Sequence, residues 1–225
     1  MLRAALALTL FAVAFGYVEA AVVVYLRRVY EPLRQALFPG LSPADLFPLV
    51  PLDKLSPQDL RLLVIELGRE AATLLMLAGA GLLAARRRGQ WVAGFVIAFG
   101  VWDIAFYAFL KLFLDWPASL LTWDLLFLIP VPWVGPVLAP VLVSAVMIAC
   151  GLLALQRDWD NRPIHATYLH WLGLLGGALI IVLSFTWDYR TLLAGAPPQH
   201  FNWPLFSAGL LCGIASFTHA WRANR

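Results

Sequence analysis

Residues 62–75 read LLVIELGREAATLL. Most of this stretch would dissolve in lipid, yet Glu66, Arg69 and Glu70 stand at its centre. Glu66, Arg69, Glu70, Thr73 and Leu77 follow the i, i+3, i+4 spacing of one helix face. The helix is therefore apolar on most sides and carries its charges in a single stripe. What that stripe faces depends on the surroundings of the helix.

The surroundings are equally apolar. The chain has 225 residues, of which 62% are hydrophobic and 13% charged, and its mean hydropathy is +0.80. Soluble domains carry about 25% charged residues, so an ordinary soluble domain is excluded. A membrane span takes roughly 20 apolar residues. The chain then reads as one all-α integral membrane domain over residues 1–225, a polytopic helix bundle of about six spans. The expected spans are 4–26, 60–85, 90–114, 135–156, 166–186 and 204–221. The start of the chain mimics a secretory signal, with Arg3 and the small-residue pattern Val18-Glu19-Ala20. Its apolar run continues unbroken to Arg27 and Arg28, so it reads as an uncleaved first span.

Between the first two spans the repeated prolines forbid a long helix, and a loop lying on the membrane surface is expected. Ser56-Pro57 followed by Asp59 marks the next helix start: a capping serine, a first-turn proline and an acid at the positive helix end. Residues 118–129 form a dozen-residue apolar segment between prolines. At about 1.5 Å per residue it is too short to cross, and a re-entrant or interfacial helix is expected. Pro140 is expected to kink the fourth span.

Arg86, Arg87, Arg88, Arg157, Arg162, Arg222 and Arg225 fall on one side of a six-span topology. The positive-inside bias makes that side cytoplasmic, with both termini there, in a plasma (inner) membrane. Arg27, Arg28 and Arg34 fall on the opposite side, against the bias. The net charge of +3 thus belongs to topology, and no nucleic-acid partner is expected; the partners expected are membrane lipids. Cys150 and Cys212 lie inside spans, where they act as small hydrophobes.

Depth brings the acids together. Counting about 1.5 Å per residue from the outer helix ends, Glu19 and Glu66 lie roughly 10 Å deep and Glu70 and Asp103 roughly 15 Å deep. Four carboxylates on three helices share one layer in the outer half of the bilayer. Charges there cost several kcal/mol unless paired or wetted, so these faces should turn to a common interior. Asp103, Tyr107 and Lys111 share a stripe on the third helix. Trp102 adjoins it, and Trp123, Asp124, Asp188, Arg190 and His200 are available above.

Four acids face Arg69 and Lys111. The surplus calls for a cation or for protons on one or two carboxyls. Carboxylate oxygens without thiolate or imidazole suit a hard divalent cation, although Glu66-x-x-x-Glu70 is no diagnostic ligand spacing. His170 and His219 lie at cytoplasmic depth. Facing histidines can hold a haem, but two interfacial histidines are the plainer reading. No nucleophile elbow, zinc-helix motif, phosphate loop or CxxC is present.

Three functions are compatible with this pattern. The first is a membrane-embedded enzyme acting on a lipid-like or amphipathic substrate. Glu19, Glu66, Glu70 and Asp103 would be its catalytic acids; Arg69, Trp102, Tyr107, Trp123, Asp124, Asp188, Arg190 and His200 would be its substrate contacts. The second is a proton- or cation-coupled transporter using the same acids. The third is a non-catalytic membrane subunit or assembly factor in which the charges only fix helix packing. A transporter needs polar access from both sides. The inner halves of the spans are plain, so the enzyme reading is preferred.

Overall fold

In an apolar medium a backbone polar group has no water to bond, so each apolar run must satisfy its own N–H and C=O groups, as a helix does. The computed structural model describes residues 2–37, 39–40, 55–194, 196, 198 and 200–223. The long runs become α1 (Leu2–Leu37), α2 (Pro57–Ala84), α3 (Arg88–Leu114), α4 (Leu138–Trp159), α5 (Tyr168–Phe185) and α7 (Trp203–Ala223). Between α3 and α4 lies a hairpin of β1 (Trp123–Phe127) and β2 (Trp133–Pro136), and α6 (Tyr189–Leu193) is one short turn before α7.

Successive long helices run in opposite directions. One end of the bundle collects the arginine-rich turns. There Arg87 pairs with Asp158 at 3.8 Å, and Arg157 Nη1 donates to the Trp221 carbonyl at 2.8 Å. The opposite end carries the hairpin, α6 and the start of α2. That start has the anticipated cap: Ser56 N–H donates to Asp59 Oδ2 at 3.0 Å, and Asp59 N–H donates to Ser56 Oγ at 3.2 Å.

α3 is the central helix and packs against α1, α2 and α4, while α5 pairs with α7. The two groups meet where α4 touches α7 and where β2 touches both α4 and α5. Lipid supplies no hydrophobic force between helices, so close approach through small residues must hold them. A Cβ on Gly81 of α2 would lie 2.6 Å from the Phe95 backbone nitrogen of α3. A Cβ on Gly177 of α5 would lie 2.7 Å from the Gly209 carbonyl oxygen of α7. Large apolar side chains such as Leu75, Leu83, Leu112 and Leu175 are exposed on the outside, which suits a surface bathed in lipid.

Among the described residues four helices are long and apolar enough to cross a membrane: Arg3–Leu37, Gly89–Leu114, Leu138–Trp159 and Tyr168–Phe185. The protein is a helical bundle with four candidate membrane spans. α2 and α7 belong to the bundle but are not among those four, so the count is narrower than the six expected.

Three local expectations are corrected. The first helix does not stop at residue 26. It runs on through Pro32 to Leu37, because a single proline removes one helix bond while Glu31 accepts from Arg34 Nε at 2.8 Å and from Gln35 Nε2 at 2.8 Å. Most of the expected surface loop, residues 41–54, lies outside the described residues. The expected short helix at 118–129 is the antiparallel hairpin, with Asp124 opposite Gly135 and Leu125 opposite Val134. A dozen residues closed off by proline cannot satisfy a helix's terminal groups in an apolar setting, and pairing with the next segment does. Pro140 makes no mid-span kink, since α4 begins at Leu138 and its first-turn N–H groups have no helical partner to lose.

The Gly81–Gly94 crossing gives a direct check. Gly81→Val should destabilise the detergent-solubilised protein by about 1–3 kcal/mol through overpacking, read as a lower midpoint of thermal aggregation. Gly79→Val, where a Cβ meets nothing within 4 Å, should leave the midpoint unchanged.

Candidate functional site

The charged stripe of α2 faces inward. Arg69 is clamped between two acids: its Nη1 pairs with Glu19 of α1, and its Nε donates to Glu66 Oε2 at 2.9 Å. Thr73 Oγ1 lies 3.0 Å from Glu19 Oε1 and 3.0 Å from the Arg69 carbonyl oxygen. One turn along, Glu70 accepts the Leu128 backbone N–H at 3.0 and 2.9 Å. That N–H belongs to the residue just after β1, where the ladder ends, so Glu70 fastens the hairpin to α2.

α3 contributes the second wall. Ser144 Oγ of α4 donates to Asp103 Oδ2 at 2.8 Å. The Tyr107 hydroxyl donates to Asp124 Oδ2 of β1 at 2.9 Å. Glu19, Glu70, Asp103 and Tyr107 are all buried. Burial raises the Asp124 carboxyl to about 6, against the hydroxyl of Tyr107 and the charge of Arg27, which both pull it down.

These groups open onto one cavity of about 610 Å³, walled by α1, α2, α3, the hairpin, α4 and α5. Its volume is that of a small-molecule site, roughly 300–1,000 Å³. Most of its polar residues lie toward the hairpin end, among them Arg27, Tyr30, Asp59, Glu66, Glu70, Asp103 and Asp124. Its deep end is apolar, with Phe95, Phe99, Met147 and Ala178. From Leu110 to Phe95 the wall of α3 extends about 22 Å. At the level of Phe95 and Phe99 the helices pack closely, with Leu8, Ala12, Leu77 and Ala98 buried against one another and Gly81 seated on Gly94.

Two kinds of donor in this region lack a protein acceptor. The buried indole Nε1 atoms of Trp102, Trp116 and Trp133 have no hydrogen-bond partner among the described residues, and Trp102 and Trp133 line the cavity. Arg27 also lines it, with Cζ stacked 4.4 Å from the centre of the Trp116 ring. No acid lies within ion-pair distance of Arg27 among the described residues.

Of the residues anticipated from sequence, Glu19, Glu66, Arg69, Glu70, Trp102, Asp103, Tyr107 and Asp124 line the cavity. The other four lie outside it. Trp123 turns away to meet Phe201 edge-on at 6.4 Å. Asp188 caps α6, its carbonyl accepting Leu192 N–H at 3.2 Å. Arg190 is exposed and bonds the neighbouring Tyr189 hydroxyl at 3.1 Å. His200 is exposed.

Lys111 does not serve as a counter-charge for the acid layer. It lies at the last turn of α3, 2.7 Å from Asp115, and donates to the Asp115 and Pro117 carbonyls, as a cation at a helix C-terminus does. Its hydrogen bond holds the Asp115 carboxyl below the usual range. The acid surplus around the cavity is therefore larger than the stripe implied. Among the described residues no three histidine, cysteine or acidic groups converge to hold a metal ion; each acid is engaged by its own protein partner instead. His170 Nε2 and His219 Nδ1 are 2.8 Å apart, so no iron fits between those two nitrogens. His170 Nδ1 accepts the Thr167 N–H at 2.9 Å, which puts the proton of a neutral ring on Nε2, aimed at His219.

Compared with known proteins, the chain matches no family model, no curated protein and no solved structure. Fold and cavity thus define a class: a helical bundle with candidate membrane spans enclosing an acid-lined cavity.

The Glu19–Arg69–Glu66 clamp predicts a rescue pattern. Arg69→Met should cost about 3–5 kcal/mol, because it strands buried acids. Adding Glu19→Gln and Glu66→Gln should restore most of the loss in thermal aggregation midpoint. A triple variant as unstable as Arg69→Met would mean that the clamp is not electrostatic.

Proposed function

We propose that this protein is a membrane-embedded enzyme that takes an amphipathic, lipid-like substrate into the cavity from the hairpin end. The observation that carries the reading is the division of the cavity: acids, arginine and indole donors at one end, plain aromatic and aliphatic surface at the other. A polar head and an apolar tail would fit that division without stranding either. Asp103 and Glu70 are the acid–base pair in this reading. Each faces the cavity, and each is bonded by neutral donors, a hydroxyl for Asp103 and backbone N–H groups for Glu70. Differently housed carboxyls can divide the roles of proton donor and acceptor. Glu19 and Glu66 are occupied by Arg69 and hold the wall in place.

Transport fits less well, since the deep end is apolar and closed toward the arginine end, whereas a transporter opens to both sides. In the topology that accompanies this proposal, α2 and α7 complete six spans in an inner membrane. The arginine end is then cytoplasmic and the hairpin end outside.

Two measurements test it. In a strain lacking the protein, the lipid profile by mass spectrometry should show one accumulated species, cleared by the wild-type chain. Asp103→Asn and Glu70→Gln should slow clearance by about 10²-fold or more while keeping the wild-type thermal midpoint. Full clearance by both variants would leave the acids a packing role only. A cysteine placed at Thr191 of α6 should react with a membrane-impermeant maleimide from outside the cell; labelling only after lysis would invert the topology.

A further inference from the structure

The substrate class can be narrowed by asking which cavity groups lack a partner. Arg69 is the cation the charged stripe draws attention to, but both sides of its guanidinium are taken by Glu19 and Glu66. Arg34 pairs with Glu31. Arg27 differs. It lines the cavity on the face of α1 that also presents Val23, Leu26 and Tyr30. Its plane is held by the buried Trp116 ring, 4.4 Å from Cζ. No hydrogen bond leaves its guanidinium and no carboxylate pairs with it among the described residues. Asp124 acts on it through space, but that carboxylate accepts the Tyr107 hydroxyl.

A guanidinium has five N–H donors in a rigid fork. Holding one in a part-buried cavity wall with every donor unused is costly. Stacking on an indole fixes the plane while leaving the donor edge available. An oxyanion is what the fork fits, through two parallel charge-assisted bonds. A continuous aromatic wall leads inward from this point: Trp116 to Tyr107 at 6.3 Å, Tyr107 to Phe106 at 5.3 Å, and Phe106 to Trp102 at 6.1 Å between ring centres. Trp102 and Trp133 then offer their unused N–H donors on either side of Phe127, before the apolar end at Phe95 and Phe99.

Resting on the lipid-substrate reading above, we infer that Arg27 anchors the anionic head of the substrate, a phosphate or carboxylate carried on an apolar chain. The head sits on the Arg27 fork near the mouth, and the chain follows the aromatic wall toward Phe95. The indole N–H groups of Trp102 and Trp133 lie further along that wall and serve acceptor oxygens, such as ester or hydroxyl groups, carried deeper on the substrate. Arg27 is a binding residue here and takes no part in proton transfer.

The test uses the full-length chain in detergent and native mass spectrometry with four probes. These are oleate, oleoyl lysophosphatidate, uncharged mono-olein and inorganic phosphate. The two charged lipids should bind at least about tenfold tighter than mono-olein, the range of a charge-assisted hydrogen bond. Arg27→Gln should erase that preference and leave mono-olein binding unchanged. Equal binding of charged and uncharged lipids by the wild type, or a preference that survives in Arg27→Gln, overturns the inference and leaves the cavity reading standing. Full displacement of lysophosphatidate by an equal concentration of inorganic phosphate overturns the lipid assignment in favour of free phosphate. If no lipid binds, the inference fails together with the substrate reading. A readout independent of any variant uses lysophosphatidate with a diazirine beside its phosphate. In the wild-type chain it should label residues 23–30, and labelling confined elsewhere overturns the placement.

Discussion

The rest of the structure depends on the clamp that Arg69 makes with Glu19 and Glu66. In lipid, one apolar helix face is nearly as good as another, so burial alone does not fix how a helix is rotated about its axis. A buried ion pair does, because any other rotation leaves charge against hydrocarbon. With Glu19 tied to Arg69, α1 and α2 have one allowed register. Glu70 and Thr73 then face inward by helical spacing, and the interior is lined with acid whatever else packs around it.

The hairpin closes what the clamp opens. Glu70 holds the first N–H beyond β1, and Tyr107 holds Asp124 on β1 itself. The segment thereby delivers an acid and an aromatic edge to the cavity from a direction no spanning helix reaches. A helix of the same residues would have left unpaired groups at both ends. Paired strands bring their hydrogen bonds with them, and Glu70 satisfies the remaining donor.

The arginines on the wrong side of the expected topology have a related explanation. Arg27 falls on the side opposite to the one the positive-inside bias favours. The continuation of α1 to Leu37 turns it into a side chain of the cavity wall, stacked on Trp116. Helical spacing relates residues within one element, and nothing in it tells that the element continues past a proline. Lys111 erred the other way. Its stripe position promised a counter-charge, but at the last turn of α3 its partners are the Asp115 carboxylate and the Asp115 and Pro117 carbonyls just past the helix.

Composition and spacing alone point to a bundle of apolar helices, and to Glu19, Arg69, Glu70 and Asp103 turning away from apolar surroundings. The physical reason is local: charge in hydrocarbon is expensive, and 3.6 residues per turn says which charges share a face. Packing settled what those faces meet. It assigned Glu66 and Glu19 to Arg69, Asp103 to Ser144 and Asp124 to Tyr107. It left Trp123, Asp188, Arg190 and His200 outside the cavity lining, and brought Arg27 and Trp133 into that lining. Such pairings join residues up to 50 positions apart, a distance over which neither propensity nor periodicity carries information.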